Sequence, residues 1–369
     1  MAQENKAGGR RHHPLSAGRR SHDRLGVCSG PAFSQSGPYV ADEQKQEARH
    51  APSHRVEYAL ARTLEGAVSG LPEGAADAFG RRLGAGVHRL GIRRKTVEEN
   101  LRLAFPDATE DWRADVCRRA YQHLGREAAA ILRLAKLDKQ AVVDRTVTRG
   151  WDEMEGALAE GKGCILVTGH YGNWEIAAAA VAARGVPISA IVRRQGNLLV
   201  DGRLDETRRR LGVETIVQRD APRAVPRALR RNGVVGIVGD QDARKAGVFV
   251  PFFGRPASTH RGPALFAIRF GAPVFACVAR RLPGAGVRYE VSGTRVPVPQ
   301  TGDLERDVQA LTAELAARLE ASIREAPEQY FWFHRRWKSK PPSEPGTAQQ
   351  GIPGPDGGPA VDDAEEDGA

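Results

Sequence analysis

The stretch GCILVTGHYGNWEIAAAAVAARG, residues 163–185, changes character in its middle. Five apolar or small residues, Cys164–Thr168, read as a buried strand. Gly169 and Gly172 permit a tight turn, Asn173 suits a helix N-cap, and the alanine-rich run ends at Gly185 as a helix. Outward from it the same alternation repeats. VPISAIVRR, VETIVQ and VVGIVGDQD read as strands separated by the helical segments LVDGRLDETRRRLG and APRAVPRALRRNG. HRGPALFAIRFG continues as a helix, APVFACVARR and VRYEVSGTRV as strands, and LERDVQALTAELAARLEASIREAP as a closing helix. Strands alternating with crossover helices predict an α/β fold, a mixed, largely parallel sheet flanked by helices.

On the N-terminal side the period is helical. Residues 55–92 give two helices broken at Gly70-Leu71-Pro72, with Val56, Leu60, Leu64, Ala67 and Val68 on one face. Phe79, Leu83, Val87 and Leu90 form a second face, and Arg62, Arg81, Arg82 and Arg89 stand towards the polar sides. Two readings fit: a helix pair packed in the core, or an interfacial hairpin with apolar residues in lipid and arginines at headgroups. Residues 96–105 and 109–136 continue as helices. Residues 1–54 and 339–369 lack hydrophobic periodicity and read as a disordered arm and a disordered acidic tail, leaving 55–338 as the folded domain.

The net charge is +10 and unevenly spread. The arm holds 8 Lys/Arg against 5 Asp/Glu and the tail 1 against 7, which leaves residues 55–338 thirteen charges positive. A basic body suits an anionic partner, whether nucleic acid, an acidic carrier protein or a phosphate-bearing membrane surface. No run approaches the roughly 18 apolar residues that span a bilayer, and no apolar run follows the basic N-terminus as in a signal peptide. Cys28, Cys117, Cys164 and Cys277 are scattered without metal-ligand spacing, so neither a zinc site nor a disulfide framework is expected. Cys164 and Cys277 read as small core residues. No GxGxxG opens a helix after a strand.

Chemistry concentrates where strands end, because ligands of open α/β sheets bind beyond the carboxyl ends of the strands. His170 leaves the first strand and Glu175 lies in the first helical turn. A carboxylate five residues on can fold back to one imidazole nitrogen, leaving the other to accept a proton. The plain alternative is a surface histidine followed by a Glu favoured by the helix dipole. No Ser or Cys adjoins His170 in a nucleophile-elbow pattern, so the substrate's own hydroxyl would be the nucleophile. Asp240, Gln241 and Asp242 stand at another strand exit. Ser258, Thr259 and Arg261 are read as opening a helix, where anions bind. Arg193, Asn197, Asp201 and Arg208 follow a third strand. Arg335 and Arg336 lie among the aromatics of PEQYFWFHRRWK (327–338), a mixture that suits RNA or a lipid interface.

Taken together, ENLRLAFPD (99–107), TGHYGNWE (168–175), GDQD (239–242), VPFFGRPAS (250–258) and PEQYFWFHRRWK resemble the lipid A biosynthesis acyltransferase family, within the lysophospholipid acyltransferase superfamily. The resemblance runs from about Val56 to Lys338. It implies transfer of a fatty acyl group from acyl carrier protein to a hydroxyl of a phosphorylated lipid A precursor. The expected place is the cytoplasmic side of the inner membrane, with peripheral or monotopic attachment, no metal or other cofactor, and no nucleic-acid partner. His170 matches the family's base and Glu175 its acidic partner. Arg193, Asp240 and Asp242 match polar positions around that pocket. The interrupted, Arg-bearing segment 56–92 departs from the family's clearer N-terminal membrane helix, so interfacial attachment is expected. Another glycolipid acceptor such as a phosphatidylinositol mannoside, an acyl-CoA donor, or a non-catalytic basic membrane- or nucleic-acid-binding protein are the competing readings.

Overall fold

The computed structural model describes residues 52–284 and 286–342. The disordered arm is assigned to 1–54, but a helix begins at Pro52; the rest of that arm and all but the start of the tail lie outside the described residues.

Four helices come first: α1 (Pro52–Gly70), α2 (Glu73–Arg89), α3 (Arg94–Ala104) and α4 (Glu110–Leu134). The break between α1 and α2 falls at Leu71-Pro72, where proline cannot continue a helix. Thr109 caps α4 by accepting from the Trp112 amide. α2 lies almost in van der Waals contact with α4. A β-carbon on Gly80 would meet the Gly125 carbonyl at 2.4 Å, so only glycine allows this approach. The packing turns Ala76, Gly80 and Gly84 inward and leaves the larger apolar residues outside. Val56, Leu60, Leu64, Leu71, Phe79, Leu83, Leu90 and Ile92 are all exposed. Apart from Val68, which is buried, and Val87, which is half-buried against the core, the stripe read from the sequence therefore faces solvent.

A short helix α5 (Lys139–Arg145), strand β1 (Thr146–Arg149) and helix α6 (Trp151–Ala159) lead into the alternating body. There β2 (Cys164–Thr168), α7 (Trp174–Ala183), β3 (Ile188–Val192), α8 (Leu198–Arg210), β4 (Val213–Val217), α9 (Ala221–Arg230) and β5 (Val234–Val238) follow in turn. A separate antiparallel hairpin, β6 (Val248–Phe252) and β7 (Arg255–Thr259), precedes α10 (Gly262–Phe270), β8 (Val274–Arg281), β9 (Tyr289–Val296) and α11 (Leu304–Glu325). The main sheet has the order β1-β9-β8-β2-β5-β3-β4 and is parallel except at β8–β9. Ser258 and Thr259, expected to open a helix, belong to β7 instead.

Side-chain alternation divides the sheet into two apolar faces. Cys164, Leu166, Ile188, Val234 and Phe275 pack towards α7, whereas Ile165, Val235, Ile237 and Val274 pack towards α9, α10 and α11. Each fully buried residue of this kind contributes roughly 1.5–3 kcal/mol relative to exposure. A third core gathers Tyr171, Phe252, Tyr330, Trp332 and Trp337 with α3 and α4. Cys117, Cys164 and Cys277 are free and buried, as small core residues should be.

Candidate active site

β2 and β5 are adjacent and parallel, with Thr168 opposite Val238. The ladder continues one step further, as the Gly239 amide donates to the Thr168 carbonyl at 3.0 Å. His170 and Asp240 therefore each stand two residues past paired strand ends. Their side chains meet: His170 Nδ1 lies 2.7 Å from Asp240 Oδ1, and the His170 amide donates to Oδ2 at 2.9 Å. Asp240 is buried, while about a fifth of the His170 side chain remains open. Burial disfavours an imidazolium, but the charge and hydrogen bond of Asp240 outweigh it and raise the His170 pKa above its ordinary value. Burial likewise pushes the Asp240 carboxyl up. The His170 charge and its two hydrogen bonds outweigh that and hold the carboxyl well below the usual range.

The turn that carries His170 is pinned from several sides. Gly172 has φ +57°, and a β-carbon there would strike the Ala279 carbonyl at 1.9 Å. Its amide donates to the Gln329 carbonyl and the Phe331 amide donates to the His170 carbonyl, each at 2.9 Å. Asn100 in turn donates to the carbonyls of Trp332 and His334 at 2.7 Å, so the 99–107 segment secures the aromatic segment that secures the turn. Asn173 caps α7 through the Ile176 amide and donates to the buried Glu127 at 2.8 Å. Tyr289 and Arg281 also donate to Glu127, at 2.7 and 2.8 Å, so this buried carboxylate is hydrogen-bonded by three side chains. The Trp174 ring meets His170 edge to face at 4.8 Å.

Glu175 does not fold back onto the His170 imidazole, the contact expected from its spacing. The Asn173 cap starts α7 so that Glu175 meets α8, where Arg208 Nε and Nη2 donate to it at 2.9 and 2.6 Å. The imidazole position is taken by Asp240. Both members of the Glu175–Arg208 pair still line the same cavity as His170, and the Glu175 charge also favours protonated His170.

That cavity has a volume of about 1500 Å³. Of the other residues singled out in the sequence, Arg193, Gln241, Asp242 and Arg335 line it. Asp242 Oδ2 accepts from Ser339 at 2.9 Å, while Oδ1 is buried without a hydrogen-bond partner. Four expected binding residues are committed elsewhere. Asn197 caps α8 and donates to the His54 carbonyl and to Glu57. Asp201 accepts from the Gln195 amide. Arg261 pairs with Glu305. Arg336 is buried, donates to the Ser258 carbonyl and Thr259 Oγ1, and covers the Phe252 ring, tying the hairpin to the C-terminal segment.

Sequence reasoning missed three kinds of residue. Arg93 and Arg244 reach the cavity mouth from left-handed backbone, φ 56° and 54°, which no local pattern signals. His260, also unmarked in the sequence, lines it, as does His334 of the basic aromatic segment. Burial lowers both imidazole pKa values, and His334 Nδ1–H donates to the Phe331 carbonyl at 3.0 Å. Deeper in, the lining is apolar: Leu166, Ala177, Ala178, Ile188 and Ala190. Among the described residues, no group of three or more His, Cys, Asp or Glu is arranged to hold a metal ion.

A carboxylate-oriented histidine at the mouth of a cleft with an apolar interior can deprotonate a hydroxyl beside a hydrophobic substrate. Comparison with known proteins gives this geometry a family. The profile of the bacterial lipid A biosynthesis acyltransferases matches residues 44–339. The chain belongs to this family. The lipid A biosynthesis lauroyltransferase of Escherichia coli (strain K12) is 27% identical over 271 residues, covering 72% of this chain and 87% of that protein. The lipid A biosynthesis palmitoleoyltransferase of the same strain is 26% identical over 277 residues, covering 72% and 86%. The phosphatidylinositol mannoside acyltransferase of Mycobacterium tuberculosis (strain ATCC 25618 / H37Rv) is 29% identical over 206 residues, covering 55% and 62%. The protein is thus an acyltransferase, and the α/β fold expected from its sequence is the one observed. No described helix of this acyltransferase is long and apolar enough to cross a membrane.

Proposed function

We propose that this acyltransferase moves a fatty acyl group from a thioester donor, acyl carrier protein, to a hydroxyl of an anionic lipid A precursor, with His170 as general base. The observation that carries the reading is the His170–Asp240 pair opening on a cavity with a cationic mouth and an apolar interior. Asp240 occupies Nδ1, so Nε2 is the nitrogen left to take the acceptor hydroxyl's proton. The alkoxide oxygen then bonds to the thioester carbonyl carbon, and the negative charge moves to the carbonyl oxygen. Collapse of that intermediate breaks the carbon–sulfur bond, and the imidazolium returns its proton to the departing thiolate. Asp240 stabilises the imidazolium throughout, the part a triad carboxylate plays. Arg193, Arg335 and the missed Arg93 and Arg244 give the mouth a field that suits the acidic carrier and a phosphorylated acceptor. The names of the Escherichia coli relatives favour a lipid A acceptor, and the mycobacterial relative keeps a phosphatidylinositol mannoside as the second reading. Acyl-CoA is the alternative donor.

The site of action is proposed to be the cytoplasmic face of the inner membrane. Eight exposed large apolar residues between Val56 and Ile92, with exposed Arg81 and Arg82 beside them, support insertion of α1 and α2 into the lipid interface. Two assays test the function. Purified protein is incubated with acyl carrier protein thioesters or acyl-CoA and a phosphorylated lipid A precursor or a phosphatidylinositol mannoside. Lipids of cells with and without the protein are compared by mass spectrometry. Acylated lipid A precursor from the carrier-protein donor is expected, and absence of any acylated product contradicts the proposal.

A further inference from the structure

Past the strand ends one branch of the cavity runs down the α7 face of the sheet in register rows, while Ile191, Ile237, Ala221 and Phe266 line it on the opposite face. At the strand ends it is lined by Thr168, Val238 and Val192, one row in by Leu166, Gly236 and Ala190, and one row deeper by Ile188 alone. At about 3.3 Å per residue, the first row to the third spans roughly 13 Å. Gly236 stands at the centre of the middle row, in a strand flanked on both sides by other strands. Such a glycine weakens a strand and ordinarily marks a bulge, a bend or a close backbone approach. Here none of these applies. The φ of Gly236 is not left-handed, its neighbours keep regular parallel register, and the nearest atom to a β-carbon placed there is Ile188 Cδ1 at 3.8 Å. What its missing side chain leaves is open space beside Ala190 and under the alanines of α7.

We infer that Gly236, with Ile188 as the floor beneath it, sets the length of acyl chain this acyltransferase accepts. The inference rests on the acyl-transfer reading above, and it makes Gly236 a specificity determinant with no part in the proton transfer. A side chain at 236 fills the passage from the wall and excludes the distal end of a long chain, while the thioester end at His170 is untouched.

The test is a chain-length profile of the full-length protein against a series of straight-chain acyl thioesters, with products identified by mass spectrometry. Gly236→Val is expected to lower kcat/KM for the longest chains used by the wild type by about tenfold or more, the discrimination a methylene or two can give in an apolar pocket. Transfer of shorter chains stays near wild type. Gly236→Ala, which meets only ordinary contacts, shifts the profile the same way by less and unfolds at a Tm no lower than wild type. Ile188→Ala shifts it towards longer chains. An unchanged profile in folded Gly236→Ala and Ile188→Ala proteins overturns this inference and leaves the acyl-transfer reading standing. A wild type that uses no thioester of any length overturns both.

Discussion

The exit of β5 and the first turn of α7 each bring a carboxylate to the neighbourhood of His170, and the two are held in different ways. Asp240 is seventy residues away in sequence but shares a register step with His170, because β2 and β5 are parallel neighbours. It is buried and engages both the ring and the amide of His170. Glu175 is five residues away in sequence, yet its cap geometry commits it to Arg208 on α8. Proximity along the chain put forward one partner, and the sheet supplied another. In this fold, adjacency across strands determines which carboxylate engages the imidazole.

The comparison can be broken most directly at the residue both carboxylates surround. His170→Ala is expected to abolish acyl transfer while leaving the thermal unfolding transition and vesicle binding in place, measured by product formation and differential scanning calorimetry. Asp240→Asn comes next. By analogy with a triad whose carboxylate becomes an amide, kcat falls roughly 10⁴-fold as the wrong tautomer is favoured, with KM nearly unchanged. Glu175→Gln should lower kcat far less, and its main cost is stability. It leaves Arg208, which is largely buried, without its partner carboxylate, a loss of about 1–3 kcal/mol by chemical denaturation. If Glu175→Gln removed more activity per folded molecule than Asp240→Asn, the assignment of the two carboxylates would be reversed.

Smaller effects sharpen the same contrast. Because Asp240 raises the His170 pKa, the imidazole stays protonated, and inactive as a base, to higher pH than a free histidine. The acid limb of kcat/KM against pH should therefore have its midpoint above the ordinary value of about 6.5. It should move down in any residual activity of Asp240→Asn. At the low end of the scale, Leu60→Glu combined with Leu83→Glu alters only exposed residues of α1 and α2. Activity on detergent-dispersed acceptor should stay within about twofold, since surface changes remote from packing are nearly neutral, while flotation with anionic vesicles drops.

Much of the fold is legible because apolar runs and turn residues alternate strongly from Cys164 to Val296, and only buried strands separated by amphipathic helices satisfy that pattern. The parts that escaped are those with weak local signals. Thr146–Arg149 is a four-residue edge strand with one buried residue, and it forms only because β9 pairs with it. The β6–β7 hairpin turns at Phe253-Gly254, both with positive φ; the Gly-Arg-Pro run from Gly254 signals a turn, but the bulky phenylalanine before it hides the two-residue hairpin. At the site, His170 is marked by its strand-end position, but its partner is not, since a sequence does not state which strands are neighbours. Arginines show the same limit from the other side. Arg336 and Arg193 look alike in sequence, yet one is a buried strut beneath the hairpin and the other lines the mouth. Only packing tells them apart.

The most direct test of the central claim is nitrogen NMR of histidine-labelled protein, with the His170 resonances identified by their loss in His170→Gln. Asp240 held against the ring predicts a neutral state with its proton on Nδ1 and a bare Nε2, titrating above the ordinary imidazole value in the wild type and lower in Asp240→Asn. A proton on Nε2 in the neutral state, or a titration that Asp240→Asn leaves unmoved while Glu175→Gln shifts it, would contradict the account.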